Sequence, residues 1–136
     1  ARRAGAHNIE TRPITSSKTI KRLKDSADRL LLDVPCSGVG VLRRNPDAKW
    51  KDTAERLPVL TALQADILFR YSKMVKPGGE LVYSTCSLLP CENQEQITRF
   101  LAQAGEEFEL LEERTISPAR EGFDGFYMAR LKRKPL

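Results

Sequence analysis

An α/β fold is predicted by three features of the sequence taken together: apolar runs at residues 29–34 and 80–86, and between them an amphipathic stretch long enough to connect them as a crossover helix. Arg29-Leu30-Leu31-Leu32-Asp33-Val34 is almost continuously apolar, the pattern of a parallel strand covered on both faces. Leu81-Val82-Tyr83-Ser84-Thr85 reads similarly and is preceded by a Pro77-Gly78-Gly79 turn.

The elements follow in order. Residues 8–14 carry a weaker strand signal, ahead of the strong run at 29–34. Leu57, Leu60, Leu63, Ile67, Leu68, Tyr71, Met74 and Val75 then recur every three or four residues, with Gln64, Asp66, Arg70 and Lys73 assigned to the polar face. Asp52 and Glu55 are spaced as a cap, and Pro58 puts the start of regular helix near Leu57. After the strand at 80–86, Ile97, Phe100, Leu101 and Ala104 mark one face of a second helix. Asn93 and Gln96 are placed for a capping box, and Gly105 for its stop. Runs at 108–115 and 126–132 close the chain as an expected antiparallel pair.

With 136 residues, 40% of them hydrophobic, the chain has the makings of one domain with one modest core. No window approaches the roughly 18 apolar residues of a membrane span, so a cytoplasmic setting is expected. Lys and Arg outnumber Asp and Glu by 23 to 18, and the excess is clustered. The clusters are Arg2-Arg3, Lys18 to Lys24, Arg43-Arg44 with Lys49-Trp50-Lys51, and Arg130 to Lys134. Such patches suit a phosphate backbone; solvated helix faces and a basic tail are the plainer alternative. Nothing in the sequence fixes an oligomeric state.

Ligands of open α/β sheets bind beyond the carboxyl ends of the strands. Asp33-Val34-Pro35-Cys36 ends one strong strand and Ser84-Thr85-Cys86-Ser87 the other, so parallel neighbours would carry both thiols to one edge. A single strand-end cysteine is usually inert packing, whereas two at equivalent ends suggest chemistry. Both precede serine and neither lies within an apolar run, so burial is not expected to hold their thiols protonated. Cys91 falls in a loop before a helix and reads as solvated or capping. Gly38-Val39-Gly40 is not a dinucleotide turn, because Arg43 stands where a third glycine belongs and Pro46 interrupts the helix that should follow. A zinc site from Cys36, Cys86, Cys91 and His7 is disfavoured by the absence of any Cys-x-x-Cys pair, and no metal ligand is assigned.

Three blocks carry a resemblance: Asp33-Val34-Pro35-Cys36-Ser37-Gly38-Val39-Gly40; Arg44-Asn45-Pro46-Asp47 with Lys49-Trp50; and Tyr83-Ser84-Thr85-Cys86-Ser87 with Pro90 and Glu92-Asn93. In content and order they resemble the signature of the Sun/Fmu family of RNA (cytosine-5)-methyltransferases. The tail Asp124-Gly125-Phe126-Tyr127-Met128-Ala129 resembles that family's last strand. The resemblance implies a partial Rossmann-like, S-adenosylmethionine-dependent methyltransferase sheet without its N-terminal strands. Residues 1–136 would then be the C-terminal portion of a single catalytic domain.

By the same resemblance Cys86 is the nucleophile toward carbon 6 of cytosine, and Cys36 assists loss of the carbon 5 hydrogen and product release. Asp33 contacts the pyrimidine edge, Pro35 borders the base, and Asp33 with Pro35 borders the S-adenosylmethionine. The family's glycine-rich donor loop would lie upstream, and Thr11 to Thr15 lacks an acid expected there. The implied partner is RNA, foremost 16S ribosomal RNA, with the target cytosine flipped out of its stack. Arg43, Arg44, Lys49 and Lys51 would hold phosphates and Trp50 would stack on a base. Packing of Trp50 against the following helix is the alternative. A noncatalytic RNA-binding module and a thiol redox or zinc protein stand as rival functions. An amino-directed methyltransferase is disfavoured for want of an Asp-Pro-Pro-Tyr-like block.

Overall fold

The computed structural model describes residues 2–50 and 53–135. Its main elements are α1 (Ser17–Arg22), β1 (Ala27–Asp33), α2 (Thr53–Tyr71), β2 (Val75–Thr85), α3 (Gln94–Ala104), β3 (Phe108–Ile116), α4 (Pro118–Glu121) and β4 (Phe126–Arg133). The strands form one sheet in the order β1-β2-β4-β3. β1 and β2 are parallel, as predicted, although β1 is not covered on both faces as its composition suggests, Leu31 being 66% exposed; β4 is antiparallel to both β2 and β3. The expected antiparallel pair at the end of the chain is present, with β4 inserted between β2 and β3.

The core lies on one face of this sheet. Leu32, Val34, Leu81, Tyr83, Tyr127, Ala129 and Leu131 meet Leu68 of α2 and Ile97, Phe100 and Ala104 of α3. Tyr83 and Tyr127 pack edge to face, as do Phe100 and Phe108.

Four further expectations are corrected. Residues 8–14 form an exposed irregular segment, with Ile9 and Ile14 open to solvent; a strand needs a neighbour for its backbone groups, and β1 pairs only with β2. β2 starts at Val75 instead of after the Pro-Gly-Gly turn: Ala27 pairs with Val75 and Arg29 with Glu80, so Lys76 to Gly79 bulge out of the ladder. Gly78 there has φ 80°, where a side chain would be strained.

The helix α2 begins ahead of Leu57 and runs through Pro58, giving up the bond that an N–H there would donate to Ala54. The cap expected at Asp52 lies outside the described residues. Finally, the Asn93-Gln96 capping box does not form: the Asn93 side chain bonds to Thr85 and Ser87, and the Gln96 amide donates to the Thr61 and Cys91 carbonyls.

Candidate active site

The parallel pairing of β1 and β2 runs to Asp33 opposite Ser84, and the Val34 N–H still reaches the Ser84 carbonyl at 3.2 Å. Both chains therefore leave the sheet side by side, and each carries a cysteine shortly afterwards. The Cys36 and Cys86 sulfurs lie 3.2 Å apart, both half-buried. Burial, followed by the Cys86 sulfur beside it, pushes the Cys36 thiol up to about 12. The expectation that both thiols escape the effect of burial thus fails for Cys36, whose neighbours in space, not in sequence, exclude water.

What holds the two turns together is a carboxylate. Glu92 is fully buried between them. Its Oε1 accepts the Ser37 N–H at 2.8 Å and the Gln64 amide at 3.0 Å. Its Oε2 accepts the Ser37 hydroxyl at 2.6 Å and also the Ser87 hydroxyl. Ser37 follows Cys36 and Ser87 follows Cys86, so one carboxylate grips both turns. A charge removed from water this completely is tolerable only when its lone pairs are met, as they are here.

A further ring of bonds surrounds this one. Gln64 donates to the Pro35 carbonyl at 2.9 Å, Thr85 to the Asn93 side chain at 2.6 Å, and Asn93 to the Ser87 carbonyl at 2.9 Å. Tyr83 donates to the Glu92 carbonyl at 2.7 Å, and burial together with the Glu92 charge drives its hydroxyl far above the ordinary range. Gly40 completes the arrangement: its N–H reaches the Cys86 carbonyl at 2.9 Å and its carbonyl accepts the Gly125 N–H at 2.7 Å. A Cβ on Gly40 would stand 2.7 Å from the Cys86 carbonyl oxygen and closer still to that of Gly125. The glycine that resembles a nucleotide turn thus serves close backbone approach.

Gln64 and Glu92 were not among the expected site residues. Gln64 shares the stripe of Leu57, Leu60, Ile67, Leu68 and Tyr71, so helical spacing alone could have placed it inside. Glu92 gave no such signal beyond its place in the third block.

Among the other expected residues, Asp33 and Pro35 are exposed at the carboxyl end of β1, with Ser84 Oγ 3.5 Å from the Asp33 carboxylate. Arg43, Arg44, Lys49 and Trp50 lie on an exposed loop that continues from Gly40; Lys51 lies outside the described residues. Trp50 is 79% exposed, with the Lys49 ammonium 5.0 Å from its ring, so it does not pack into the core. Arg44 is paired with Asp124 and ties this loop to the turn before β4.

The last basic cluster is occupied within the fold: Arg130 bridges Glu80 and Glu112, and Arg133 bridges Asp25 and Glu107. A free basic tail is therefore not what Arg130 and Arg133 provide. Cys91 is half-buried outside the pair, its thiol raised by burial and by Glu92 and Glu95. No helix among the described residues is long and apolar enough to cross a membrane.

Residues 2–132 match the family model for the 16S rRNA methyltransferase RsmB/F. The chain belongs to the RsmB/F family. It is 48% identical over 110 residues to ribosomal RNA small subunit methyltransferase B of Vibrio vulnificus, covering 76% of this chain and 26% of that protein. Its identity to the Pasteurella multocida protein of the same name is 42% over 126 residues, covering 84% of this chain and 28% of that one. The chain spans about a quarter of the length of these RsmB/F relatives.

Among solved structures, a methyltransferase homologue from Pyrococcus horikoshii superposes with a TM-score of 0.79 at 29% identity, over 97% of this chain and 47% of that one. NSun6 from Pyrococcus horikoshii, solved with SFG, gives a TM-score of 0.82 at 24% identity, over 97% of this chain and 36% of that one, a likeness of fold. The RsmB/F chain therefore has the α/β methyltransferase architecture that its sequence predicts.

Proposed function

We propose that this chain is the cysteine-bearing part of an RNA (cytosine-5)-methyltransferase acting on 16S ribosomal RNA, with Cys86 as the nucleophile. The observation that carries the reading is the pair of sulfurs 3.2 Å apart beyond the carboxyl ends of adjacent parallel strands. Membership of the RsmB/F family and the names of the relatives support the ribosomal substrate.

Carbon 5 of cytosine is a weak nucleophile. Addition of the Cys86 sulfur to carbon 6 converts the ring into an enamine whose carbon 5 can attack an electrophilic methyl group. Loss of the carbon 5 hydrogen as a proton then returns electrons to the ring and expels the sulfur. Asp33, exposed at the carboxyl end of β1, is suited to hold the pyrimidine edge.

Attack falls to Cys86, the position to which the family resemblance gives the nucleophile, while burial favours the protonated, neutral form of its neighbour Cys36. Cys36, 3.2 Å from the Cys86 sulfur, lies close enough to the adduct to assist at carbon 5 and in release of the product.

S-adenosylmethionine supplies the sulfonium methyl when bound; the SFG held by NSun6 is an analogue of it. Among residues of this chain, Asp33 and Pro35 fit the border of that donor's site, being exposed on the edge where the sulfurs lie. The target base has to leave its stack to reach a half-buried sulfur, and Arg43, Lys49 and Trp50 form the exposed surface suited to the flanking strand. Chemistry that depends on free thiols suits the reducing cytoplasm.

The test uses the intact protein containing these residues. Cys86→Ser abolishes turnover and the covalent adduct with RNA carrying 5-fluorocytosine, whereas Cys36→Ala still attacks and accumulates an adduct with ordinary cytosine RNA. Full turnover by the serine variant removes the assignment of Cys86. Clean turnover by Cys36→Ala removes the release role of Cys36.

A further inference from the structure

We propose that Glu92 is the positioning residue that keeps the two sulfurs in register, acting as a hydrogen-bond hub and not as an acid or base. The role rests on the reading of Cys36 and Cys86 as the reacting pair. Its basis is the distribution of donors. Glu92 gathers Ser37 and Ser87, the residues immediately after the two cysteines, and Gln64, which also fastens the Pro35 carbonyl immediately before Cys36. The turn carrying Cys36 is thereby held from both sides, and the turn carrying Cys86 is held to it through the same carboxyl group. A buried charge is a costly way to fasten two loops that apolar packing could fasten instead, so its retention here calls for a task that packing does less well. Fixed distance between two reacting groups is such a task, because hydrogen bonds are directional and apolar contact is not.

The two oxygens of Glu92 are not equivalent. Oε1 receives groups that can only donate, the Ser37 N–H and the Gln64 amide. Oε2 receives the hydroxyls of Ser37 and Ser87, which can donate or accept, and the Ser87 oxygen already accepts the Leu89 N–H at 3.1 Å. A glutamine with its oxygen at the Oε1 position would keep both obligate donors. Its NH₂ group would donate its two hydrogens to the two hydroxyl oxygens. Glu92→Gln therefore preserves the hub with the polarity of one side reversed, while removing the charge and any capacity for proton exchange. Glu92→Ala removes both sides, leaving the Ser37 N–H without its side-chain acceptor and Gln64 to donate to the Pro35 carbonyl alone.

The experiment measures sulfur proximity directly, in the intact protein with Cys91→Ser. Diamide takes up the two thiol hydrogens and is reduced as the Cys36–Cys86 disulfide forms, and peptide mapping gives its rate. Glu92→Gln is expected within about twofold of the parent, and Glu92→Ala slower by about tenfold or more, with circular dichroism unchanged. At saturating RNA, the rate of adduct formation with 5-fluorocytosine RNA follows the same order, with RNA affinity unaltered.

Disulfide formation at the parental rate in Glu92→Ala overturns the proposal. So does a Gln variant as slow as the Ala variant, which would make charge the essential property. If Glu92→Ala does not fold, the Ser37→Ala, Ser87→Ala double variant removes only the hydroxyl arms; it is expected to slow disulfide formation, and an unchanged rate overturns the hub. A parent that forms the disulfide readily but never an RNA adduct sinks the catalytic reading of the cysteines, and leaves the disulfide comparison to decide what Glu92 does.

Discussion

The two stretches on either side of Gly40 are built on opposite plans. Before it, the turn at Cys36 and Ser37 is gripped by a buried carboxylate, a buried glutamine and the neighbouring strand end. After it, the loop carrying Arg43, Arg44, Lys49 and Trp50 is exposed, with Ala48 its buried foothold and Arg44–Asp124 its tether to the body. Bond making tolerates little error in the position of a sulfur, whereas stacking on a base and contact with phosphate tolerate a good deal. On the proposed function, one short segment serves both demands, with a close-packed glycine separating them.

The most severe way to break that division is to disturb the separator. Gly40→Ala forces a methyl group against the carbonyls of Cys86 and Gly125, and neither backbone atom can swing aside as a side chain could. A stability loss of about 1–3 kcal/mol is expected, together with slower disulfide formation between Cys36 and Cys86. Gly78→Ala is the control: its φ of 80° brings strain, but nothing lies near its Cβ and it belongs to the bulge at the far end of β2. It should cost stability of about 1–2 kcal/mol without altering the sulfur pair. Denaturant midpoints and diamide kinetics on both variants decide the matter; equal effects on the sulfurs would mean that Gly40 has no special hold on the site.

A smaller effect, confined to the exposed half, is expected of Trp50→Ala. Its indole is open to solvent, so its removal should leave the unfolding midpoint unchanged. RNA affinity should fall by about 1–3 kcal/mol if a base stacks there. Fluorescence anisotropy with single-stranded RNA at fixed salt gives the number. Unchanged affinity would relocate recognition to other surfaces, and a lower unfolding midpoint would revive a packing role for the ring.

How much of this was legible beforehand follows from what each residue does. The runs at 29–34 and 80–86 announced parallel strands, but the apolar continuity of the first overstated its cover, since the core lies on one face and Leu31 is exposed on the other. Their shared direction then predicted that Cys36 and Cys86 would meet. The segment at 8–14 misled because strand propensity says nothing about whether a partner strand exists to receive its hydrogen bonds. Gln64 and Glu92 stayed hidden for a different reason. A polar letter is assigned to the surface by default, and only the three-dimensional convergence of Ser37, Ser87 and Gln64 on one carboxyl group shows that Glu92 belongs inside. Trp50 was open to two readings until its exposure was known, since the sequence gives the ring and not its surroundings.

The subtlest test concerns the proton on Cys36. Burial raises its thiol from the ordinary 9.0 to about 12, so the folded protein holds this proton more tightly than the unfolded chain. The corresponding stability is fully present below pH 9.0 and is lost as the pH climbs toward 12, where the unfolded chain has released the proton and the folded one is still being made to. For one group the slope cannot exceed about 1.4 kcal/mol per pH unit. Urea unfolding at pH 8 and at pH 10, in reducing buffer, should therefore show a larger decline for the parent than for Cys36→Ser, whose hydroxyl does not titrate there. Groups remote from Cys36 cancel in the difference between the two proteins, and repeating the comparison in a Cys86→Ser background separates out the neighbouring thiol. Equal declines would mean that the Cys36 thiol is no more shielded than one in an open loop, and the contrast between a gripped sulfur site and an exposed basic arm would lose its energetic half.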